Sequence, residues 1–203
     1  MERRDELLRA AARVYARHGY RGSTTRRIAD EAGVNEITIF RQFGTKDTLI
    51  HEAIASCGMT GPLAELPAIP TDPHRELKHW AMSLRSHICA SRLIMRRCMS
   101  EREEHPQLNA SANRGPLRAA AELRSYIERL REHGFTDGIV DAKAASAMFL
   151  GTLFSDAMGR DTMPDIYPSP PAAAVDHYTT LILAALGVPA PSPASSPTTS
   201  HSR

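Results

Sequence analysis

Within a few residues of one another stand Glu36, Ile37, Thr38, Arg41 and Gln42, side chains of the kinds that read base edges in duplex DNA. An arginine fork suits guanine or phosphate, a glutamine amide suits adenine, and isoleucine methyls suit the thymine methyl group. A threonine hydroxyl serves several bases, and Glu36 either accepts from a cytosine amine or rests as a carboxylate favoured by a helix N-terminus. Thr25, Arg26 and Lys46 flank this set. Free backbone N–H groups and a hydroxyl at a helix start bind anions, so Thr25 and Arg26 are expected at phosphates. Lys46 opens a further helix, where a cation gains nothing from the helix dipole, so a phosphate clamp is its expected use.

Two short helices joined by a glycine turn must hold these groups. Ile28, Ala29 and Ala32 form an apolar stripe at helical spacing, with Thr24 ahead of it as N-cap. Gly33 supplies the left-handed exit and Asn35 caps the second helix. Ile39 and Phe43, one turn apart, face inward, and Ala29 is small enough for the two helices to cross closely. With those two anchored, Ile37, Thr38 and Arg41 point out and Gln42 lies at the margin. The spacing predicts a helix-turn-helix whose second helix can enter a major groove.

The run G-Y-R-G-S-T-T-R-R-I-A-D-E-A-G-V-N-E-I-T-I-F-R-Q-F-G-T-K-D-T-L-I, residues 19–50, closely resembles the DNA-binding domain of TetR-family transcriptional regulators. That family's pattern has a Thr starting helix two, an I-A-x-x-A-G-V turn, a Y-x-x-F recognition helix and a Lys opening helix four. The resemblance covers about the first 55 residues; beyond it only length and an all-helical layout agree. It implies phosphate contacts, and sometimes a base contact, at Thr25 and Arg26. It also implies a homodimer, a double-stranded DNA operator and a small-molecule effector. One position departs: Phe40 stands where the family generally has a Tyr whose hydroxyl reaches a phosphate, so that contact is not carried over.

The charge distribution agrees. The net charge of the chain is +2. Residues 1–50 hold ten Lys and Arg against seven Asp and Glu, and the rest carries a slight negative excess. Basic charge thus gathers on the module that would meet phosphates. Three cysteines (Cys57, Cys89, Cys98) at unrelated spacings suggest no disulfide framework. No signal peptide and no apolar run near 18 residues is found, so the expectation is a cytoplasmic protein with no membrane partner.

A first helix is expected over residues 2–18, with Leu7, Leu8, Ala11, Ala12 and Tyr15 on one side and Gly19 closing it. Arg3 and Arg4 near its start are either DNA-backbone contacts or simply solvated. Pro62, Pro67, Pro70 and Pro73 mark residues 58–73 as a linker. Helices are then expected at 73–92, 92–104, 114–134, 141–159 and 171–186. The domain reading is 1–57 for DNA binding, 58–187 for a helical ligand-binding and dimerisation body, and 188–203 for a disordered Pro/Ser-rich tail. The fold class is all-α.

Within the body, Trp80, Leu84, His87 and Met95 are candidates to line an apolar effector pocket, together with Met99, Phe149, Phe154 and Met158. Residues of these types also suit a plain core. Ala147, Gly151 and Ser155 form a small-residue strip. With Val175, Tyr178, Leu181, Ile182 and Ala185 on the final helix, they are candidates for a four-helix dimer interface. His87, Cys89, Cys98 and His105 do not make a metal set, because His87 and Cys89 point in different directions on a helix. Glu101, Glu103 and Glu104 cluster with Arg96, Arg97 and Arg102 and read as a solvated face rather than as catalytic acids. No metal, cofactor or enzymatic activity is expected. The function implied is a ligand-responsive transcriptional regulator, a repressor by family frequency. Its rivals are a helical interaction scaffold without gene control and, further off, a small helical enzyme.

Overall fold

The structure is a computed structural model, which describes residues 2–57 and 64–189. Ten α-helices are found among the described residues, and no strand. The first four are α1 (Glu2–Gly22), α2 (Thr25–Ala32), α3 (Glu36–Phe43) and α4 (Lys46–Cys57). The body contains α5 (Pro73–Ala90), α6 (Arg92–Ser100), α7 (Asn109–Ala112), α8 (Arg114–Glu132), α9 (Ala142–Gly159) and α10 (Pro171–Ala185).

Local chemistry explains the boundaries. Thr24 accepts from the Arg27 N–H at 3.2 Å, Asn35 from the Ile37 N–H at 2.9 Å, and Thr45 from the Thr48 N–H at 3.1 Å. Each satisfies one of the orphan donors of a helix start. Gly33, at φ 65 and ψ 36, makes the left-handed exit from α2. In the body Asp72 and Asp141 cap α5 and α9 through the N–H groups of Arg75 and Ala144.

Two apolar cores result. One gathers Leu7, Tyr15, Ile28, Ile39, Phe43 and Leu49 from the first four helices, and also takes Ile94 of α6 and Leu108. The other gathers Leu77, Trp80, Leu123, Tyr126, Phe149, Leu153 and Leu183 from α5, α8, α9 and α10. Because Ile94 is buried in the first core, α6 ties the body to the N-terminal unit.

Several boundaries differ from expectation. The first helical run ends at Gly19 as expected, where the chain leaves helical form (φ 68, ψ −176), but a further helical turn to Gly22 follows the kink. α6 ends at Ser100 instead of reaching 104, because the chain turns at Glu101, whose side chain is drawn across to α1. The turn Pro106–Leu108 and the short α7 have no counterpart in the periodicity reading. Of the expected tail, Val188 is buried in the second core and its N–H bonds to the Leu183 carbonyl at 2.9 Å. The body therefore extends past 187. Residues 190–203 of that tail, and 58–63 of the linker, lie outside the described residues.

Candidate DNA interface

The helix expected to read base edges is α3. Ile39 is wholly buried and Phe43 nearly so, which anchors the inner face. Ile37 is 72 % exposed on the opposite face. Arg41 is also exposed, and Thr38 is half-buried between the two faces. Phe40 stands half out of the surface beside them. These positions follow from the 100° step of the helix once Ile39 and Phe43 are fixed.

Gln42 departs from the reading. Its side-chain carbonyl oxygen is buried and has no hydrogen-bond partner among the described residues. That oxygen is turned into the domain, so the bidentate adenine contact expected of Gln42 requires the side chain to rotate. The cause is its marginal place on the wheel, close to the buried side of Phe43.

Around α3, hydroxyl and charged groups are already engaged. The Thr25 hydroxyl donates to the Glu36 carboxylate, joining the start of α2 to the start of α3. Glu36 is thereby a brace between the two helices. Arg26 is exposed. Lys46 donates to the Tyr20 carbonyl at 3.0 Å, and its ammonium lies 4.2 Å from the centre of the Tyr20 ring. The expected phosphate clamp is thus docked on α1 in this state. Arg4 is paired with Glu52 and stacks on Phe43 at 4.7 Å, so it serves the fold of the unit rather than standing free.

Two features near this unit escaped the sequence reading. Glu31 of α2 binds Arg13 at 2.7 Å and Arg17 at 3.3 Å, and the hydrogen bond from Arg13 holds its carboxyl below the usual carboxylate range. Glu101, read as part of a solvated face, instead accepts the Tyr20 N–H with both oxygens. Arg97 reaches both Glu101, at 3.8 Å, and the Arg17 carbonyl. The Arg97–Glu101 spacing of four residues was visible, but nothing local distinguished it from an exposed ion pair.

In the body the candidate pocket residues do not share one place. Trp80 and Phe149 are buried in the core, and Leu84 packs against it. His87, Met95, Phe154 and Met158 are half-buried, whereas Met99 faces solvent at 55 % exposure. Met99 is therefore no inner wall: it lies on the outer face of α6, whose inner face is held by Ile94. The indole N–H of Trp80 and the Nε2 of His87 are buried without hydrogen-bond partners among the described residues.

The dimer candidates divide more sharply. Ala147, Gly151, Ser155, Leu181 and Ala185 are exposed, along with Met148. Val175 and Ile182 are buried in the second core, because this face of α10 packs on α5 and α9; neither is available to a partner. Tyr178 is half-buried and donates to Asp156 at 3.0 Å.

Asp156 is fully buried between Arg85 at 2.7 Å and Arg160. Burial opposes its ionisation, but hydrogen bonds from Arg160, Arg85 and Tyr178 prevail and hold the carboxyl below its ordinary value. The same burial, with the bond to Asp156, pushes the Tyr178 hydroxyl up to about 12. This cluster joins α5, α9 and α10. Among the described residues no group of three or more His, Cys, Asp or Glu is placed to hold a metal ion. None of the described helices is long and apolar enough to cross a membrane.

Comparison with known proteins bears on the same residues. Residues 7–53 match the family model of the bacterial regulatory proteins, tetR family. Over 178 residues, 87 % of this chain and 93 % of the other, the chain is 25 % identical to the uncharacterized HTH-type transcriptional regulator YvkB of Bacillus subtilis. It is 43 % identical to the HTH-type transcriptional repressor AcnR of Corynebacterium diphtheriae, over 79 residues that make 34 % of this chain and 42 % of that repressor. The fold is that of a TetR transcriptional regulator from Agrobacterium tumefaciens, with a TM-score of 0.70 at 20 % identity over 91 % of this chain and 94 % of that one. The matched segment coincides with the braced helix-turn-helix around Ile37 and Arg41, so the N-terminal unit is similar to the DNA-binding segment of the tetR family of bacterial regulatory proteins, and the chain as a whole has the fold of a TetR regulator.

Proposed function

We propose that the chain is a homodimeric repressor that binds a palindromic operator and is released by a small apolar effector. The observation that carries this reading is the outer face of α3, where Ile37 and Arg41 are exposed on a helix held from behind by Ile39 and Phe43. A large apolar side chain held out beside an arginine matches the major-groove edges of thymine and guanine.

Dimerisation is supported by the exposed strip Ala147, Met148, Gly151 and Ser155 on α9 beside Leu181 and Ala185 on α10. Small residues let helices of a second copy approach closely, and Leu181 and Met148 give them apolar surface to cover. A two-fold pair carries two copies of α3 and so asks for two half-sites related by the same symmetry. The repressor sign follows the curated relative AcnR, which is named a repressor.

The effector reading is supported by Trp80 and His87, seven residues apart along α5, each with a buried nitrogen that finds no partner among the described residues. A buried polar atom left unmatched costs about 1–3 kcal/mol, which a ligand group can recover. Selection of duplexes from a random pool tests the reading. An inverted repeat is expected, and enrichment of single, unpaired half-sites contradicts the dimer. Titration of small apolar compounds into the protein–duplex complex tests release.

A further inference from the structure

A groove of about 360 Å³ runs between α1 and the junction of α5 and α6, on the seam where the body meets the N-terminal unit. One wall carries three arginines, Arg9, Arg13 and Arg17, spaced about one helical turn apart on α1. At 1.5 Å per residue they follow each other by about 6 Å. The other wall and floor are mainly apolar, with Ala12, Ala90, Leu93 and Ile94 beside Ser91. Leu93 is 69 % exposed there, while its neighbour Ile94 is buried.

We propose that this groove binds an amphipathic organic monocarboxylate, its head on the α1 arginines and its apolar chain along Leu93, and that binding loosens the tie between α1 and α2. This rests on the reading of the chain as a DNA-binding regulator. The protein itself shows that these arginines accept a carboxylate, since Glu31 places one oxygen on Arg13 and the other on Arg17. Arg9 is in no ion pair among the described residues and is exposed at the end of the row. A guanidinium binds carboxylate strongly by paired, charge-assisted hydrogen bonds. A volume of this size lies in the range of small-ligand sites. Covering Leu93 supplies the apolar part of the affinity.

The consequence lies in competition. The incoming carboxylate and the Glu31 carboxylate seek the same guanidiniums. Glu31 belongs to α2, the first helix of the helix-turn-helix, so occupancy of the groove draws Arg13 and Arg17 away from it. Ligand binding and DNA binding are then linked, and each weakens the other by the same factor.

The experiment is calorimetric titration of the full chain with sodium decanoate, with acetate and decanol as controls for head and tail. Decanoate is expected to bind and neither control to match it. Arg9→Gln should weaken decanoate about tenfold, the loss of one charge-assisted hydrogen bond. Leu93→Asp should weaken it further, and both positions are exposed, so the fold is retained. Glu31→Gln should tighten it by removing the competitor, a result that a merely structural Glu31 does not give. Trp80→Phe should leave it unchanged. Affinity indifferent to Arg9→Gln and Leu93→Asp, or equal for decanol, overturns the proposal, as does a chain that takes up no decanoate. Leu93→Asp converting an oligomer to a smaller species without ligand also overturns it, since the groove is then covered by a second copy. Duplex binding by the unliganded chain is measured alongside: its absence counts against the regulator reading, whereas its presence without decanoate uptake counts against the groove alone.

Discussion

Glu101 takes the backbone N–H of Tyr20 between its two carboxylate oxygens, at 3.3 and 3.1 Å, and so fixes the kinked end of α1 to the end of α6. The fit is close. A Cβ built on Gly19, one residue earlier, would lie 2.0 Å from a Glu101 oxygen, and Gly19 holds a positive φ of 68. Tyr20 in turn carries Lys46, packs against His105 at 4.3 Å and donates its hydroxyl to Asp47. One backbone amide therefore joins the body to the start of α4.

Glu101→Ala should remove this grip and leave the Tyr20 N–H without its partner. A loss of about 1–3 kcal/mol is expected for such a half-buried, charge-assisted bond. In a chain of this size that is a fall in Tm of roughly 2–12 °C. Gly19→Ala should be at least as harmful, through both strain and the clash with Glu101. Differential scanning calorimetry measures both. A Glu101→Ala protein as stable as the parent contradicts the assignment.

The Asp156 cluster gives a pH dependence of known sign. Its carboxyl is held below the ordinary value of 3.8 in the folded chain. A group with a depressed folded pKa contributes stability that is complete above the unfolded value, about 3.9, and is lost as pH falls through the folded value. Asp156→Asn should cost about 3–5 kcal/mol at neutral pH by leaving Arg85 and Arg160 without their charge partner. The gap between parent and variant in urea unfolding should narrow below pH 4. A gap that stays constant down to pH 2 contradicts the cluster's role.

Gly151 tests the proposed dimer face without disturbing the core, because a Cβ there meets nothing within 4 Å among the described residues. Gly151→Leu should leave the helical circular dichroism intact and yield monomers in sedimentation. Ile182→Ala should instead cost about 2–5 kcal/mol of stability, as for a buried aliphatic side chain cut back. If Gly151→Leu remains a dimer, the contact lies elsewhere.

Lys46 separates two roles by salt dependence. Docked on the Tyr20 carbonyl and ring, it contributes to stability. If it swings to a phosphate on binding, Lys46→Ala should weaken all duplexes similarly and lower the salt slope of log K by about one. An unchanged slope with a lowered Tm assigns it to the fold alone.

The helix-turn-helix was legible because its determinants are local. Thr24, Asn35 and Thr45 cap the helices that follow them, and Gly33 takes the conformation that its residue type allows. Ile39 and Phe43 fix which face of α3 looks outward by spacing alone. What stayed hidden depends on partners far along the chain. The Glu101 contact spans 81 residues, and Arg97 four positions away made Glu101 look like half of a surface pair. Asp156 sits among Leu153 and Ala157 in an apolar stretch, and Arg160 one turn later was its clue; Arg85, 71 positions distant, was not. For α10 the apolar positions run nearly all round, so periodicity could not say that Val175 and Ile182 turn inward while Leu181 turns out.

The central claim is that α3 reads DNA, and binding of a selected duplex by Arg41→Ala and Ile37→Ala proteins tests it most directly. Each should lose about 1–3 kcal/mol against the selected sequence. Against an unrelated duplex, Ile37→Ala should change little, and Arg41→Ala should lose only what any phosphate contact of its own contributes. The preference between the two duplexes, followed by fluorescence anisotropy at fixed salt, should therefore shrink in both variants. Preference that survives intact in both, with affinity for every duplex unchanged, would contradict the assignment of the outer face of α3 to base recognition.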